Sequence, residues 1–239
     1  MRPMPNPNLI LLERAAEKLT PLLNEVVFVG GCATGLLIDD PGAATVRKTY
    51  DVDIIAEIAS YAEYGVFSER LRRLKFTEDT TAGAPLCRWK YLDLTLDVMP
   101  LDPRILGFSN RWYEGAIKAA QPLVLQNGSP IRAITAPYFL GTKIEAFRGR
   151  GKDDYFASHD LEDFIAVIDG RRNIDEELIA SPEDLQTYIG SAVALLLREP
   201  RFLDALPGYL LPDVANQARI GAILKKLAAI ASLKEHDPR

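Results

Sequence analysis

The stretch KTYDVDIIAE, Lys48–Glu57, sets Asp51 and Asp53 two residues apart inside an apolar, β-branched segment. Acidic residues are poor strand formers and costly to bury, so two of them on one strand need a reason. Residues two apart in a strand share a face. Asp51 and Asp53 are therefore expected to point together, with Arg47 and Thr49, while Val52 and Ile54 point toward a core. Carboxylates that close repel unless a cation lies between them. Mg²⁺ or Mn²⁺ takes hard oxygen ligands, commonly one or two carboxylates plus substrate phosphates. An edge strand with two solvated aspartates is the competing reading, because Asp-x-Asp is a short pattern.

Two further features join this pair. FVGGCATGLL lies upstream, and its Gly30–Gly31 pair separates a predicted strand from a predicted helix start. Adjacent glycines let backbone N–H groups approach a polyphosphate closely. Downstream, LDLTLDVMP sets Asp97 between Leu96 and Val98 on a later strand. A third carboxylate on a neighbouring strand would complete a two-metal site. Asp93 competes for that position from four residues away, on the same expected strand face. Asp97 is preferred because apolar neighbours hold it on both sides.

The elements that must position these residues follow from periodicity. Residues 8–23 have helical spacing, 25–31 read as a buried strand ending at the Gly turn, and 39–47 as a loop. A strand is expected over 49–57 and a helix over SYAEYGVFSERLRRL. Short strands follow at 76–79, 86–91 and 92–99, then a hairpin within 123–134. Beyond Thr135 the pattern is helical. One helix is expected after a Thr135 cap, a second from Ser158 to a Gly170 C-cap, a third opening on Ser181–Pro182, and a last over about 213–233. The division is thus residues 1–134, mixed α/β, and 135–239, helical.

Other positions have two readings each. Lys143, beside the apolar stripe Leu140, Ile144 and Phe147, is either a point charge for a triphosphate or a snorkelling lysine. Asp160 either favours its helix dipole or orients Lys143, and Asp163 could exchange roles with it. Arg47 and Thr49 could contact phosphate or ribose, or Arg47 could pair with a surface acid. In GFSNRWYEGAI, Trp112 or Tyr113 could stack on a base while Asn110 or Arg111 hydrogen-bonds it. The same stretch also reads as a helix capped by Ser109 with an aromatic in the core. Arg70, Arg72, Arg73 and Lys75 read as a solvated helix face. Arg148, Arg150 and Lys152 form a basic turn better suited to a phosphate backbone.

The 239 residues carry a net charge of −5, with 48% hydrophobic and 26% charged residues, as in an ordinary globular protein. A bulk basic surface for nucleic acid is excluded. The longest apolar run, AVALLL, is far too short to span a bilayer, so no membrane association is expected. No leader is expected at the N-terminus. Two cysteines, Cys32 and Cys87, make no disulfide framework and read as reduced, buried small residues, as in a cytoplasmic protein.

Strand–Gly-Gly–helix, then Asp-x-Asp, then a lone Asp on another strand, resembles the polymerase-β-like nucleotidyltransferase superfamily. FLGTKIEAFRGRGKDDYFASHDLEDFIAVIDGR, and the Arg-x-Thr-x-Asp-x-Asp form of Arg47–Asp53, are similar to the AbiEii/AbiGii toxin group within it. The resemblance covers roughly residues 27–170. It departs at the turn, which is Gly-Gly here and Gly-Ser in that group, removing one hydroxyl.

The resemblance implies a nucleotidyltransferase domain, a mixed sheet with flanking helices, followed by a helical domain closing over the nucleotide. It implies that Asp51, Asp53 and Asp97 hold Mg²⁺ or Mn²⁺, and that Gly30, Gly31 and Lys143 contact an NTP, while Arg47, Thr49, Asn110 and Arg111 are nucleotide-contact candidates on their own chemistry. Lys143 and Asp160 join the carboxylates as catalytic. The reaction implied moves a nucleoside monophosphate from the NTP to an acceptor hydroxyl. The acceptor would be RNA, the tRNA 3′ end, in a toxin with an antitoxin protein partner. A small-molecule acceptor and a non-catalytic nucleotide-binding module are the alternatives.

Overall fold

The computed structural model describes residues 6–151 and 153–233. Lys152, one of the basic-turn positions, lies outside the described residues. The chain divides into two compact units: Met1–Gly35 with Arg47–Thr135, and Leu36–Val46 with Ala136–Arg239.

The first unit is mixed α/β. α1 (Pro7–Lys18) opens on Asn6, whose side chain accepts from the Asn8 N–H, with Pro7 at the first helical position. Leu12, Ala15, Ala16 and Leu19 recur at helical spacing and are buried. β1 (Val26–Val29) is buried throughout and runs into the short α2 (Gly30–Ala33). β2 spans Asp51–Ala56, starting two residues later than its sequence suggests. α3 (Tyr61–Arg73) is capped by Ser60. β3 (Thr77–Glu78), β4 (Arg88–Tyr91) and β5 (Leu94–Met99) follow. α4 (Pro103–Leu106) and α5 (Tyr113–Ala119) precede the hairpin of β6 (Gln121–Val124) and β7 (Pro130–Ala133).

These strands form one seven-stranded sheet in the order β3-β4-β5-β2-β1-β7-β6. β2 and β5 are parallel, as are β1 and β7, and the remaining neighbours are antiparallel. β2 is half-buried at Asp51 and Asp53 and buried at Val52, Ile54, Ile55 and Ala56. Its two aspartates thus take the open face and its alternate aliphatics the core.

Two local expectations are corrected here. Asp93 does not lie on a strand face; it sits in the turn between β4 and β5, exposed, paired with Arg14. Ser109 does not cap α5: its hydroxyl donates to the Leu101 carbonyl, while the Asn110 side chain accepts from the Trp112 N–H.

The second unit is helical. It contains α6 (Ala136–Arg150), α7 (His159–Gly170), α8 (Ile174–Ile179), α9 (Glu183–Leu196), α10 (Pro200–Ala205), α11 (Val214–Gln217) and α12 (Ile220–Ser232). The arm Leu36–Val46 belongs to it and is fastened to the end of α7. The Asp39 and Asp40 N–H groups donate to the Gly170 carbonyl at 3.0 and 2.9 Å. A Cβ on Gly170 would lie 2.7 Å from Ile38 Cγ2, so this glycine admits the arm. Gly170 is the last residue of α7 and not its C-cap, which is Arg171. The single terminal helix expected over 213–233 is broken at Ala218–Arg219, where Arg219 turns to hold Asp40 and Asp169. No helix among the described residues is long and apolar enough to cross a membrane.

Candidate active site

The parallel pairing of β2 with β5 sets Asp53 directly opposite Asp97, and Asp51 opposite Thr95. Directly opposed residues share a sheet face, so Asp51, Asp53 and Asp97 are gathered on one face of the first unit. On the other side of β5, Arg88 of β4 is opposite Asp97, and Lys90 is opposite Thr95. One row across four strands therefore reads Arg88, Asp97, Asp53, Val29.

Arg88 grips this row. Its Nε donates to Asp97 Oδ1 at 2.8 Å and its Nη2 to Asp97 Oδ2 at 2.7 Å. The same Nη2 reaches Asp51 Oδ2 at 2.8 Å. Such two-pronged, charge-assisted bonds are among the strongest in proteins. The hydrogen bond to Asp97 outweighs partial burial and pushes the guanidinium further above its ordinary range. Sequence reading passed over Arg88. The available signal was alternation: RWKY puts Arg88 and Lys90 on one face of the strand that precedes LDLTLD.

The glycine turn makes room for one of the carboxylates. Gly30 has φ +68°, and a Cβ there would lie 1.9 Å from Asp53 Oδ2. The bare backbone at residue 30 is the hollow into which the Asp53 carboxylate fits. Gly31 is buried behind it.

Arg47 and Thr49 precede β2. Asn8, fully buried on α1, accepts from the Thr49 N–H at 3.0 Å and donates to the Arg47 carbonyl at 2.8 Å. This pins the backbone that delivers Asp51 and Asp53. Thr49 is buried. Asn110 is buried ahead of α5, its carbonyl accepting from the Tyr113 N–H, and Arg111 lies 5.0 Å over the Trp112 ring. Trp112 itself is buried, as the core reading has it.

In the second unit Lys143 is not a snorkelling lysine. It is buried, and its Nζ donates to Asp163 Oδ2 at 2.6 Å and Asp160 Oδ1 at 3.2 Å. Both candidate acids thus hold it. Ser158 caps α7 through the Leu161 N–H, setting Asp160 in the first turn. Arg150 donates to both Asp160 oxygens at 3.0 Å, so this member of the basic turn is committed to an acid. Burial raises the Asp160 carboxyl, but the Lys143 charge and the Arg150 contacts together overcome it and hold Asp160 below its ordinary range.

The other basic group is a solvated face: Arg70 pairs with Glu25, and Arg72 with Glu69 and Glu78. Both cysteines are free and buried. Burial, reinforced by nearby acidic charge, pushes each thiol up to about 12, which removes them as neutral-pH nucleophiles.

The donor set on the sheet face is all carboxylate, the chemistry a hard divalent cation takes. The face already holds a cation, the Arg88 guanidinium. As drawn, no group of three or more His, Cys, Asp or Glu among the described residues converges as a finished metal site.

No family description matches the chain, and no curated protein matches it. Several solved structures resemble it. One is an antigenic nucleotidyltransferase-like protein from Paracoccidioides brasiliensis, 21% identical, covering 84% of this chain and 93% of its own, with a TM-score of 0.47. A second is a nucleotidyltransferase candidate from H. pylori, 12% identical, covering 98% of this chain and 94% of its own, also with a TM-score of 0.47.

Proposed function

We propose that the protein is a nucleotidyltransferase that moves a nucleoside monophosphate from an NTP to an acceptor hydroxyl. The observation that carries this is the register of β2 against β5, with Asp53 opposite Asp97, Asp51 two residues along, and the Gly30 hollow receiving the Asp53 carboxylate. The motif order in the sequence supports the same reading. Asp51, Asp53 and Asp97 are the residues that would hold Mg²⁺ or Mn²⁺. When bound, such an ion screens triphosphate charge and lowers the pKa of an attacking hydroxyl.

The chain's own residues supply the rest. The acceptor oxygen forms a bond to the α-phosphorus, the bond to the β-phosphate bridging oxygen breaks, and pyrophosphate leaves. One of the three carboxylates accepts the proton from the hydroxyl. Asn8 and Gly30 position this face by fixing the approach to β2 and the Asp53 rotamer. Lys143 is assigned as the charge on the triphosphate, with Asp160 and Asp163 orienting it. Gly31 remains assigned to the nucleotide by resemblance, and Arg47, Thr49, Asn110 and Arg111 by their hydrogen-bonding chemistry. An RNA acceptor, the tRNA 3′ end, and a toxin role with an antitoxin partner belong to the same reading and rest on the resemblance to the AbiEii/AbiGii group.

One observation favours a second reading. Arg88 pairs with both Asp51 and Asp97, so the chain's own charge can balance these acids, as in a nucleotide-binding module without turnover. A transfer assay separates the two. Purified protein, Mg²⁺, each NTP labelled at the α-phosphate and total tRNA are resolved on a denaturing gel beside Asp53→Ala. Labelled tRNA that disappears in the variant is the expected result. Pyrophosphate release with a small-molecule panel, and none with tRNA, would move the acceptor to a small molecule. NTP binding without either product would leave the binding module.

A further inference from the structure

The cation seated on the acidic face belongs to the chain. Arg88 spends two nitrogens on both oxygens of Asp97, and one of them also reaches Asp51. Any divalent ion that used those carboxylates would meet a guanidinium already on them. Arginine does not lose its proton in proteins, so only movement of the side chain frees the two acids. The side chain has room to move: it is 25% exposed, against 8% for Asp97. Beyond β4 lies only β3, two residues long, at the edge of the sheet. The Asp53 carboxylate lies against Gly30.

Resting on the nucleotidyltransferase reading, we propose that Arg88 is a displaceable stand-in for the divalent cation. Without metal it neutralises Asp51 and Asp97 and keeps the acidic face folded. Metal loading requires its guanidinium to leave them. The exchange makes the site demand a higher metal concentration than the bare carboxylates would.

Lys90 provides the internal control. It lies on the same face two residues along, yet its Nζ is paired with Asp79 at 2.8 Å. Removing it changes net charge by as much as removing Arg88, without touching the Asp97 contact.

The test is calorimetric titration of the full chain with MnCl₂ alone, comparing wild type, Arg88→Gln, Arg88→Lys and Lys90→Gln. Arg88→Gln is expected to bind Mn²⁺ about tenfold tighter or more, since charge-assisted hydrogen bonds no longer have to be broken. Arg88→Lys should fall between, because one ammonium cannot reproduce the fork. Lys90→Gln should shift affinity less than about threefold, as a screened charge does. Without metal, Arg88→Gln should melt at lower temperature than wild type, and saturating Mn²⁺ should close that gap.

Equal affinity in wild type, Arg88→Gln and Arg88→Lys overturns the exchange while leaving metal binding intact. An effect of Lys90→Gln as large as that of Arg88→Gln also overturns it, in favour of bulk charge. If no form binds Mn²⁺, the exchange falls together with the metal-dependent reading. Should Arg88→Gln fail to fold, Arg88→Lys against wild type decides alone.

Discussion

A β-carbon on Gly30 would lie 1.9 Å from the Asp53 Oδ2 atom, well inside contact distance. The first glycine of the turn and the second aspartate of the strand are thus one structural unit, although 23 positions separate them. Gly30→Ala must move Asp53 and also carry a side chain at φ +68°. The backbone part alone costs about 1–3 kcal/mol. Gly83→Ala is the matched control, at φ +83° with nothing within 4 Å of the added carbon. Both variants should lose similar stability from the backbone in urea melts, with Gly30→Ala losing more. Transfer activity should vanish only in Gly30→Ala. Equal activity in the two would show that Asp53 tolerates displacement.

Lys143 and Asp163 form an enclosed ion pair of the helical unit, with side chains 7% and 1% exposed. Asp163→Ala removes the nearer acid and leaves Asp160 divided between Lys143 and Arg150. Breaking a buried pair from one side costs about 3–5 kcal/mol. The urea midpoint of the helical unit should fall accordingly. Lys143→Met combined with Asp163→Leu should regain much of the loss, because an apolar pair of similar size removes the uncompensated charge. If the double variant regains stability and remains inactive in transfer, the pair serves chemistry and not folding.

Asp160 gives the unit an acid-side dependence. Its carboxyl is held below its unfolded value by Lys143 and Arg150 against the opposing effect of burial. A depressed carboxyl contributes stability that is fully present above the unfolded pKa, about 4. That contribution is lost as pH falls through the lower folded value. The melting-temperature gap between wild type and Asp160→Asn should therefore be constant from neutral pH down to about 5 and close below about 4. A gap that closes near neutrality would assign the effect to another group.

How far the sequence disclosed this arrangement depends on the range of the contact. Strand alternation is local, so the face shared by Asp51 and Asp53 was legible, as was the helical character beyond Thr135. Caps made by neighbours, such as Ser158 with Leu161, were legible for the same reason. Contacts that depend on register between distant segments were not. Arg88 opposite Asp97, Asn8 holding Thr49, and the Leu36–Val46 arm lying on α7 all follow from pairing that no local pattern encodes. Ser109 misled because it has cap chemistry, while Asn110, next to it, makes the local side-chain bond. Gly170 misled because a terminal glycine suggests a left-handed cap, whereas here its missing side chain admits Ile38.

Arg219 is the fastening of that arm. It breaks the terminal helical stretch, donates through Nε to both oxygens of Asp169 at 2.7 and 2.9 Å, and through Nη2 to Asp40 at 2.7 Å. Lys226 stands beside it, donating to the Ile168 and Arg171 carbonyls at 2.8 Å and closing the C-terminal end of α7. Arg219→Met keeps an unbranched apolar stem and removes the charged fork. The loss of charge-assisted hydrogen bonds should cost about 1.5–3 kcal/mol. The arm should open locally before the unit unfolds, because what then ties Asp39 and Asp40 is two backbone bonds to the Gly170 carbonyl, one from the Arg172 N–H and long pairs with Arg171 and Arg172. Thermolysin should then cut within residues 39–46 well before the rest of the chain, with the helical unit surviving as a protected fragment. Lys226→Met should weaken the end of α7 without exposing the arm. Cleavage spread evenly over the chain in Arg219→Met would show that the arm is held without it, by the Gly170 contacts and by Arg171 and Arg172.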